Sequence, residues 1–400
     1  MPALPLWVIA REWARIGITG FGGPPAHIAL LRKLCVERNS WLSATEFEDG
    51  IAATSLLPGP ASTQLAIFCA WRLGGPLGAI VGGACFIVPG LIIILALSVL
   101  FLAHSPPAWV RGAAAGAGGS VPAVALAAAV SLMPASWKRA GVQRMARVRW
   151  LVYLAAGAVG ANLAGQFLVA VLLGCGLIEW LILRRSANSK TVLANSKTVP
   201  AGNDDDRKRR RTPMIPLAAK VLTAGALGSI AWVAIKVGAL SFGGGFVIIP
   251  LMQHDAVHTY HWMTASQFLS AVALGQVTPG PVVQTVAVVG YAAAGLAGGL
   301  FASFVAFAPS FLFVLAGGRH FDRFRRSASA QAFLAGAGPA AIGAIAGAAV
   351  QLGLELTQWW QVGILAAALI WLVGLRRGVV PAILGAAAIG IVVALLGGLA

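Results

Sequence analysis

Two short glycine and proline motifs, each present twice in an apolar chain, hold the residues best placed to do chemistry. Phe21-Gly22-Gly23 and Phe242-Gly243-Gly244 each precede a second motif, Pro58-Gly59-Pro60 and Pro279-Gly280-Pro281. Within apolar sequence such residues break a helix and free backbone groups that lipid cannot satisfy, so the breaks must be buried in protein or line a polar cavity. A helix that restarts after a break turns partly positive amides toward the gap, which suits an anion. The competing reading is that the glycines only permit close packing and the prolines only kink.

Other polar residues gather around these motifs. Arg15 and Lys236 each lie six residues before their phenylalanine. A cation within an apolar helix costs ~2.5 to 3.5 kcal/mol on insertion scales, so it faces a cavity or a partner, or snorkels to the interface. Gln64 and Gln284 follow the two Pro-Gly-Pro motifs, with Ser62, Thr63 and Thr285, and Gln276 lies just before the second. Their amides and hydroxyls can donate to oxyanion oxygens or bond freed carbonyls across helices. The nearby acids Glu37, Glu46, Glu48, Asp49 and Asp255 are expected at the aqueous edge, and a proton relay at Asp255 would be asymmetric, since Leu34 matches it. His254 and His258 share a helical spacing but have no HExxH glutamate and no further ligand cluster, so no metal or cofactor is expected. There is no P-loop, dinucleotide fingerprint or nucleophile elbow.

These elements recur because the chain is duplicated. Trp41 and Trp262 differ by 221 positions, and the same offset matches Gly17 with Gly238, Phe47 with Phe268 and both motif pairs. Farther on, an offset of 220 matches Gly116-Ala-Gly118 with Gly336-Ala-Gly338. Chance composition does not keep Gly, Pro, Trp and Phe in one register. The expected organisation is a repeat over residues 1–183, a basic cytoplasmic linker over 184–212 and a second repeat over 213–400.

Of the 400 residues, 58% are hydrophobic and 10% charged, against roughly 25% charged in soluble domains. Leu77 to Ala103 and similar runs approach the ~20 residues that cross a bilayer as helix. The 49 glycines, as at Gly74, Gly78, Gly82, Gly295 and Gly299, suit helices packed backbone to backbone. The net charge of +17 falls in short clusters between spans, which excludes a nucleic-acid reading. Cys35, Cys69, Cys85 and Cys175 show no metal or disulfide spacing. The first apolar stretch, interrupted by Arg11, Glu12 and Arg15, does not read as a cleaved signal peptide.

The expected fold is an all-α polytopic membrane protein of two homologous helical repeats, with broken helices at both motifs and about 10–13 membrane segments. Spans are expected near Leu77 to Ala103, Gly112 to Met133, Trp150 to Leu183 as a tight pair, Gly295 to Ala316, Gln331 to Leu352, Trp359 to Leu375 and Val379 to Leu399. Loop charge argues that the repeats are inverted. Residues 104–110 are charge-poor where the second half has Arg319, Arg323, Arg325 and Arg326, and one turn later the asymmetry reverses, with Lys138 to Arg149 against a cation-free 353–361. Inversion needs an odd number of crossings per repeat, whereas two crossings in 150–183 make the number even.

The doubled pattern of Gly-x-x-x-Phe-Gly-Gly, then Trp, then Pro-Gly-Pro resembles the chromate ion transporter family in its long, two-domain form. Phe21-Gly-Gly-Pro24 with His27, Leu57-Pro-Gly-Pro-Ala-Ser-Thr-Gln64, Ser241-Phe-Gly-Gly-Gly245 and Thr278-Pro-Gly-Pro281 carry the resemblance. It implies a bacterial inner-membrane protein that exports chromate, driven by the proton motive force, with the motif residues lining the path. Its partners would be chromate, protons and the bilayer, with sulfate an isosteric competitor and a homodimer an open question. The family's acid shortly after the FGGP segment is replaced here by Leu34 and Cys35. Uptake or exchange of sulfate or another tetrahedral oxyanion is the rival reading. A membrane enzyme or scaffold would need a convergent acid/base or metal cluster or a large soluble domain, and the sequence has neither.

Overall fold

A computed structural model describes residues 4–55, 57, 59–103, 105–163, 168–195, 225–241, 248–317 and 327–397. Its helices are α1 Leu6–Thr19, α2 Pro24–Arg32, α3 Ala44–Thr54, α4 Ala61–Phe101, α5 Ala108–Ala140, α6 Arg144–Leu163 and α7 Leu168–Asn195 in the first half. The second half has α8 Ala226–Leu240, α9 Ile248–Gln253, α10 Ala265–Val277, α11 Thr285–Gly317, α12 Ala328–Leu354, α13 Trp359–Leu369 and α14 Val379–Leu395. Among the described residues, α4, α5, α11 and α12 are long and apolar enough to cross a membrane. α7 continues to Asn195, into the expected linker; the rest of that linker lies outside the described residues, as does the arginine loop 319–326.

The first half builds two helical hairpins that open on one face. At Gly74 (φ −136°, ψ 17°) and Gly75 (φ 63°, ψ −157°) α4 reverses. This reversal is absent from the sequence expectation, which treated Gly74 only as a packing residue. Gly75 occupies a backbone region open essentially to glycine alone, and past it Gly78 packs on the Ala70 carbonyl, 2.5 Å from where a Cβ would stand. α1 runs against the first part of α4, through Leu4 N–H to Leu73 O (2.9 Å) and Trp13 Nε1–H to Ala66 O (2.8 Å). α2 runs alongside it, with His27 at Ser62 and the Cys35 thiol at Cys69. α3 runs back, with Glu46 bonded to Arg72 at the outer end and Gly50 against Phe68 farther in. Hence the tip of α1/α2 is the Phe-Gly-Gly break, and the tip of α3/α4 is the Pro-Gly-Pro break. The remainder of α4, from Pro76 to Phe101, passes fully across.

The second half repeats this in detail. The π-helical turn 33–38 recurs at 254–259, the capping box of Ser43 and Glu46 recurs as Thr264 and Gln267, and Ser40 (φ 50°) recurs as His261 (φ 52°). The reversal recurs at Ala294 (φ −151°, ψ 32°) and Gly295 (φ 62°, ψ −155°).

Contacts between the halves show their relative direction. Gly83 on α4 meets Phe311 on α11, and Leu95 meets Gly299, so position rises on one helix as it falls on the other. Likewise Ser136 on α5 neighbours Gly338 on α12, and Pro122 neighbours Gly353. Equivalent helices therefore run antiparallel, and the two-fold that relates them lies across the helices: the repeats are inverted, as the loop charges argued. The parity objection concerns the return path between α7 and α8, and residues 196–224 lie outside the described residues.

The halves also exchange partners. α5 packs along α13 and α14 of the second half, while α12 packs along α6 and α7 of the first. Small residues permit these crossings: a Cβ on Gly112 would come within 2.5 Å of Ala394, and one on Gly336 within 2.8 Å of Glu179. Gln361 Nε2–H donates to the Ala115 carbonyl at 2.9 Å across the α5/α13 contact. Between α6 and α7, Arg149 grips Glu179 with two hydrogen bonds of 2.8 and 3.0 Å, and the Tyr153 hydroxyl donates to the same carboxylate.

Candidate functional site

The hairpin tips of both halves meet near the middle of the long helices. A Cβ on Gly17 would lie 2.7 Å from the Phe86 carbonyl oxygen, and one on Gly90 would lie 2.6 Å from Gln284 Oε1. These levels on α4 are about 15–21 Å from Pro76 at 1.5 Å per residue, roughly half the depth of a ~30 Å hydrocarbon layer.

One carbonyl joins three of the four breaks. Gly20 O accepts His27 Nε2–H at 2.9 Å and the Gly280 backbone N–H at 3.1 Å. Because a carbonyl can only accept, His27 carries its proton on Nε2, and its Nδ1 accepts from the Ser62 hydroxyl at 3.3 Å. The ring is fully buried and packs edge-on against Phe86. His27 thus ties the first Phe-Gly-Gly tip to the start of α4 and, through Gly20, to the opposite Pro-Gly-Pro tip.

Around this node the glutamines occupy related places. Gln284 Nε2–H donates to the Ile87 carbonyl at 2.6 Å on the long helix of the other half, leaving Oε1 between Gly90 and Gly280. Gln64 folds back on Gly59, whose free face also meets Ser310 Oγ and the Gly238 carbonyl. Ser310 is the repeat mate of Gly90, so each Pro-Gly-Pro tip is seated against the crossing helix of the opposite repeat. The cluster is unusually rich in unbonded polar atoms. Thr63 Oγ1, Ser241 Oγ, Gln276 Nε2, Gln284 Oε1 and Ser310 Oγ are buried with no hydrogen-bond partner among the described residues. Buried polar groups are nearly always satisfied by protein, water or ligand, so these five, on segments flanking the breaks or, for Ser310, against Gly59, call for partners beyond the described residues. Three helices, α2, α4 and α11 with its leading turn at Val282–Gln284, begin here and direct their amide ends inward, while α1, α3, α8 and α10 end here.

The sequence-derived residues divide accordingly. His27, Gly59, Pro60, Gln64, Gln276, Pro279, Gly280, Pro281 and Gln284 are buried at the junction. Gly23 and Pro24 are half-buried beside it, while Phe21 and Gly22 are exposed. Pro58 and Phe242, Gly243, Gly244 and Gly245 lie outside the described residues. Arg15 is exposed on α1. Lys236 is not a free cation either. Its Nζ is ion-paired with Asp255, and the two side chains are 16% and 8% exposed. Asp255 therefore leaves the aqueous edge expected for it, whereas Glu37, Glu46 and Glu48 do lie outside, held by Arg32 and Arg72. His254 and His258 neighbour each other at 6.1 Å between ring centroids. Ser310 and Gly90 belong to neither motif, and the signal that could have found them is that they are register mates at the 220 offset.

A polytopic helical membrane protein with inverted repeats, whose broken helices meet at mid-depth, belongs to the architecture of secondary transporters. The family model described as "Chromate transporter" matches residues 7–180 and 228–391, one region per repeat, and the chain belongs to this family. It is 30% identical over 356 residues to the "Probable chromate transport protein" of Synechococcus elongatus, covering 88% of this chain and 86% of that one. It is 29% identical over 351 residues to the "Chromate transport protein" of Cupriavidus metallidurans, covering 88% and 83%, and 28% identical over 346 residues to that of Pseudomonas aeruginosa, covering 85% and 79%. No solved structure matches the chain significantly.

Proposed function

We propose that this protein is a secondary transporter that exports chromate across a bacterial inner membrane, and that the junction of the first Phe-Gly-Gly tip with the two Pro-Gly-Pro tips is where the anion binds. The observation that carries the site is the group of five buried polar atoms, on the segments flanking the breaks or, for Ser310, against Gly59, that have no hydrogen-bond partner among the described residues. Hydroxyls of Thr63, Ser241 and Ser310 and the Gln276 amide can donate to tetrahedral oxygens, and the first amides of α2 and α4 add partial positive charge. The residues brought together there carry no formal charge, so recognition works through oriented dipoles, with Lys236 and Asp255 neutralising each other nearby.

The drive follows from the charge of the cargo. An inside-negative potential favours outward movement of an anion by ~2.3 kcal/mol per elementary charge for each 100 mV. Export by this route lowers cytoplasmic chromate and confers resistance without a nucleotide-binding domain. The names of the relatives support chromate as cargo.

The decisive measurement is labelled chromate flux in everted vesicles, with and without a proton gradient and with sulfate as competitor. Saturable accumulation that collapses with the gradient is expected. Absence of saturable chromate flux overturns the substrate, and saturable sulfate flux without chromate flux favours sulfate exchange instead.

A further inference from the structure

The last two helices, α13 and α14, are joined by a tight turn, and each packs on α5 far more than on the other. Side-chain size is the reason. Where they face one another stand Ala367 and Ala368 on α13 and Ala382, Gly385 and Ala386 on α14, which leave an apolar groove of about 310 Å³. A Cβ on Gly385 would meet nothing within 4 Å. From Pro381 to Ile389 the groove follows α14 for about 12 Å at 1.5 Å per residue. That is close to the hydrocarbon depth of one leaflet, half of ~30 Å.

Charge is concentrated at one end of this groove. Arg376 and Arg377 lie in the turn between the helices and are the only charged side chains from Gln358 to Ala400. Both are exposed, and neither has an ion pair among the described residues. The turn that presents them is fixed by Leu375 N–H to Ile370 O at 2.8 Å and Arg377 N–H to Trp371 O at 3.0 Å. Trp371 Nε1–H donates to Gly378 O at 3.1 Å, which holds the ring as part of the groove wall nearest the arginines. Helix direction places this end in the membrane. A Cβ on Gly112 would meet Ala394 and one on Gly116 would meet Ala386, so α14 runs antiparallel to α5 and begins on the side where α5 ends, at Lys138 and Arg139. That basic side is cytoplasmic by the positive-inside bias, and anionic lipids give the cytoplasmic leaflet its negative surface potential.

We propose that the α13/α14 groove binds an anionic glycerophospholipid of the cytoplasmic leaflet, with an acyl chain laid between the helices and the phosphate held by Arg376 and Arg377. Arginine suits the role because its planar guanidinium donates paired hydrogen bonds to phosphate oxygens. A zwitterionic lipid would fill the groove equally well but would bring a cationic group to a pair of arginines with no acid beside them. A second copy of the chain, laid on the same face about a two-fold along the membrane normal, would set four arginines together. Each arginine beside an anionic headgroup is worth about fivefold in affinity, so removing both should weaken the anionic lipid on the order of 25-fold.

Native mass spectrometry of the purified full chain in detergent tests this, after incubation with equal amounts of phosphatidylglycerol and phosphatidylcholine bearing the same acyl chains. Wild type should retain phosphatidylglycerol over phosphatidylcholine by at least about fivefold. The double variant Arg376→Gln, Arg377→Gln should retain one phosphatidylglycerol fewer. Gly385→Leu keeps both arginines but fills the groove, and it should lose the same lipid. If Gly385→Leu is not recovered, Ala367→Phe fills the groove from the other helix and should do likewise. Inorganic phosphate at millimolar concentration should not displace the lipid. Equal retention of the two lipids, or an arginine variant that retains as much phosphatidylglycerol as wild type, overturns the proposal. Loss in the arginine variant without loss in a groove variant leaves a headgroup contact alone, and displacement by phosphate leaves a free-anion contact; either overturns the lipid site. A wild-type dimer that dissociates in Gly385→Leu assigns the groove to a second copy and overturns it too.

Discussion

At the scale of single residues, His27 and Gln284 do most to join the hairpin tips, and each can be tested by a substitution that separates packing from bonding. Gln284→Leu keeps the volume but leaves the Ile87 carbonyl without its donor, which costs about 1–3 kcal/mol for a buried group. We expect a lower melting temperature in detergent and flux below a tenth of wild type. Gln284→Glu retains the size and an acceptor but adds a charge facing Gly90, so it should lose anion binding even where it folds. His27→Ala removes both the donor to Gly20 and the acceptor for Ser62. His27→Gln restores one of these bonds and should recover part of the flux, measured at equal membrane levels. His27 was marked in the sequence only through its place after Phe-Gly-Gly-Pro. That its ring bonds Gly20 and Ser62 depends on α2 and α4 running side by side, which no local pattern encodes.

At the scale of elements, the reversals in α4 and α11 allow both long helices to be half hairpin and half span. Gly75 and Gly295 have open space around a Cβ, so alanine there meets no atom and suffers only backbone strain. Gly75→Ala and Gly295→Ala should each destabilise by about 1–3 kcal/mol, the usual cost of such a conformation. Thermal unfolding of the two variants should show comparable shifts, since the conformations match within a few degrees. The Gly116→Leu variant differs in cause: its side chain would collide with the Ala386 backbone on α14 and should prevent assembly. Glycine spacing revealed that close packing was needed, but not which glycines turn the chain. Gly74-Gly75-Pro76 and Ala294-Gly295 look locally like the packing glycines around them, and only the fold-back of Gly78 on Ala70 separates the two roles.

At the scale of the whole molecule, exchange of helices between halves makes each repeat incomplete alone. The groove of α5 is filled by α13 and α14, and that of α12 by α6 and α7. Residues 1–183 expressed alone should therefore be degraded, whereas coexpression with 213–400 should restore membrane levels of both. Single cysteines placed in 105–110 and at Ser327 should label from opposite sides of the membrane if the repeats are inverted, and labelling from one side at both would refute the inversion.

A membrane protein of two repeats can be recognised from the residues alone, because apolar run length and a repeated register of Gly, Pro, Trp and Phe are local or periodic properties that need no partner to be read. The breaks at Phe21-Gly22-Gly23, Gly59-Pro60 and Pro279-Gly280-Pro281 and, through loop charge, the inversion were legible in the same way, since the cost of moving arginine and lysine across a bilayer acts on the loop itself, whereas the expected break at 242–244 lies outside the described residues. Which polar residues meet is set by the packing of helices far apart in the chain. Arg15 faces outward and Lys236 is neutralised by Asp255, because pairing depends on what stands opposite. The opposing residue comes from a different hairpin or repeat, and its identity follows from helix direction and depth.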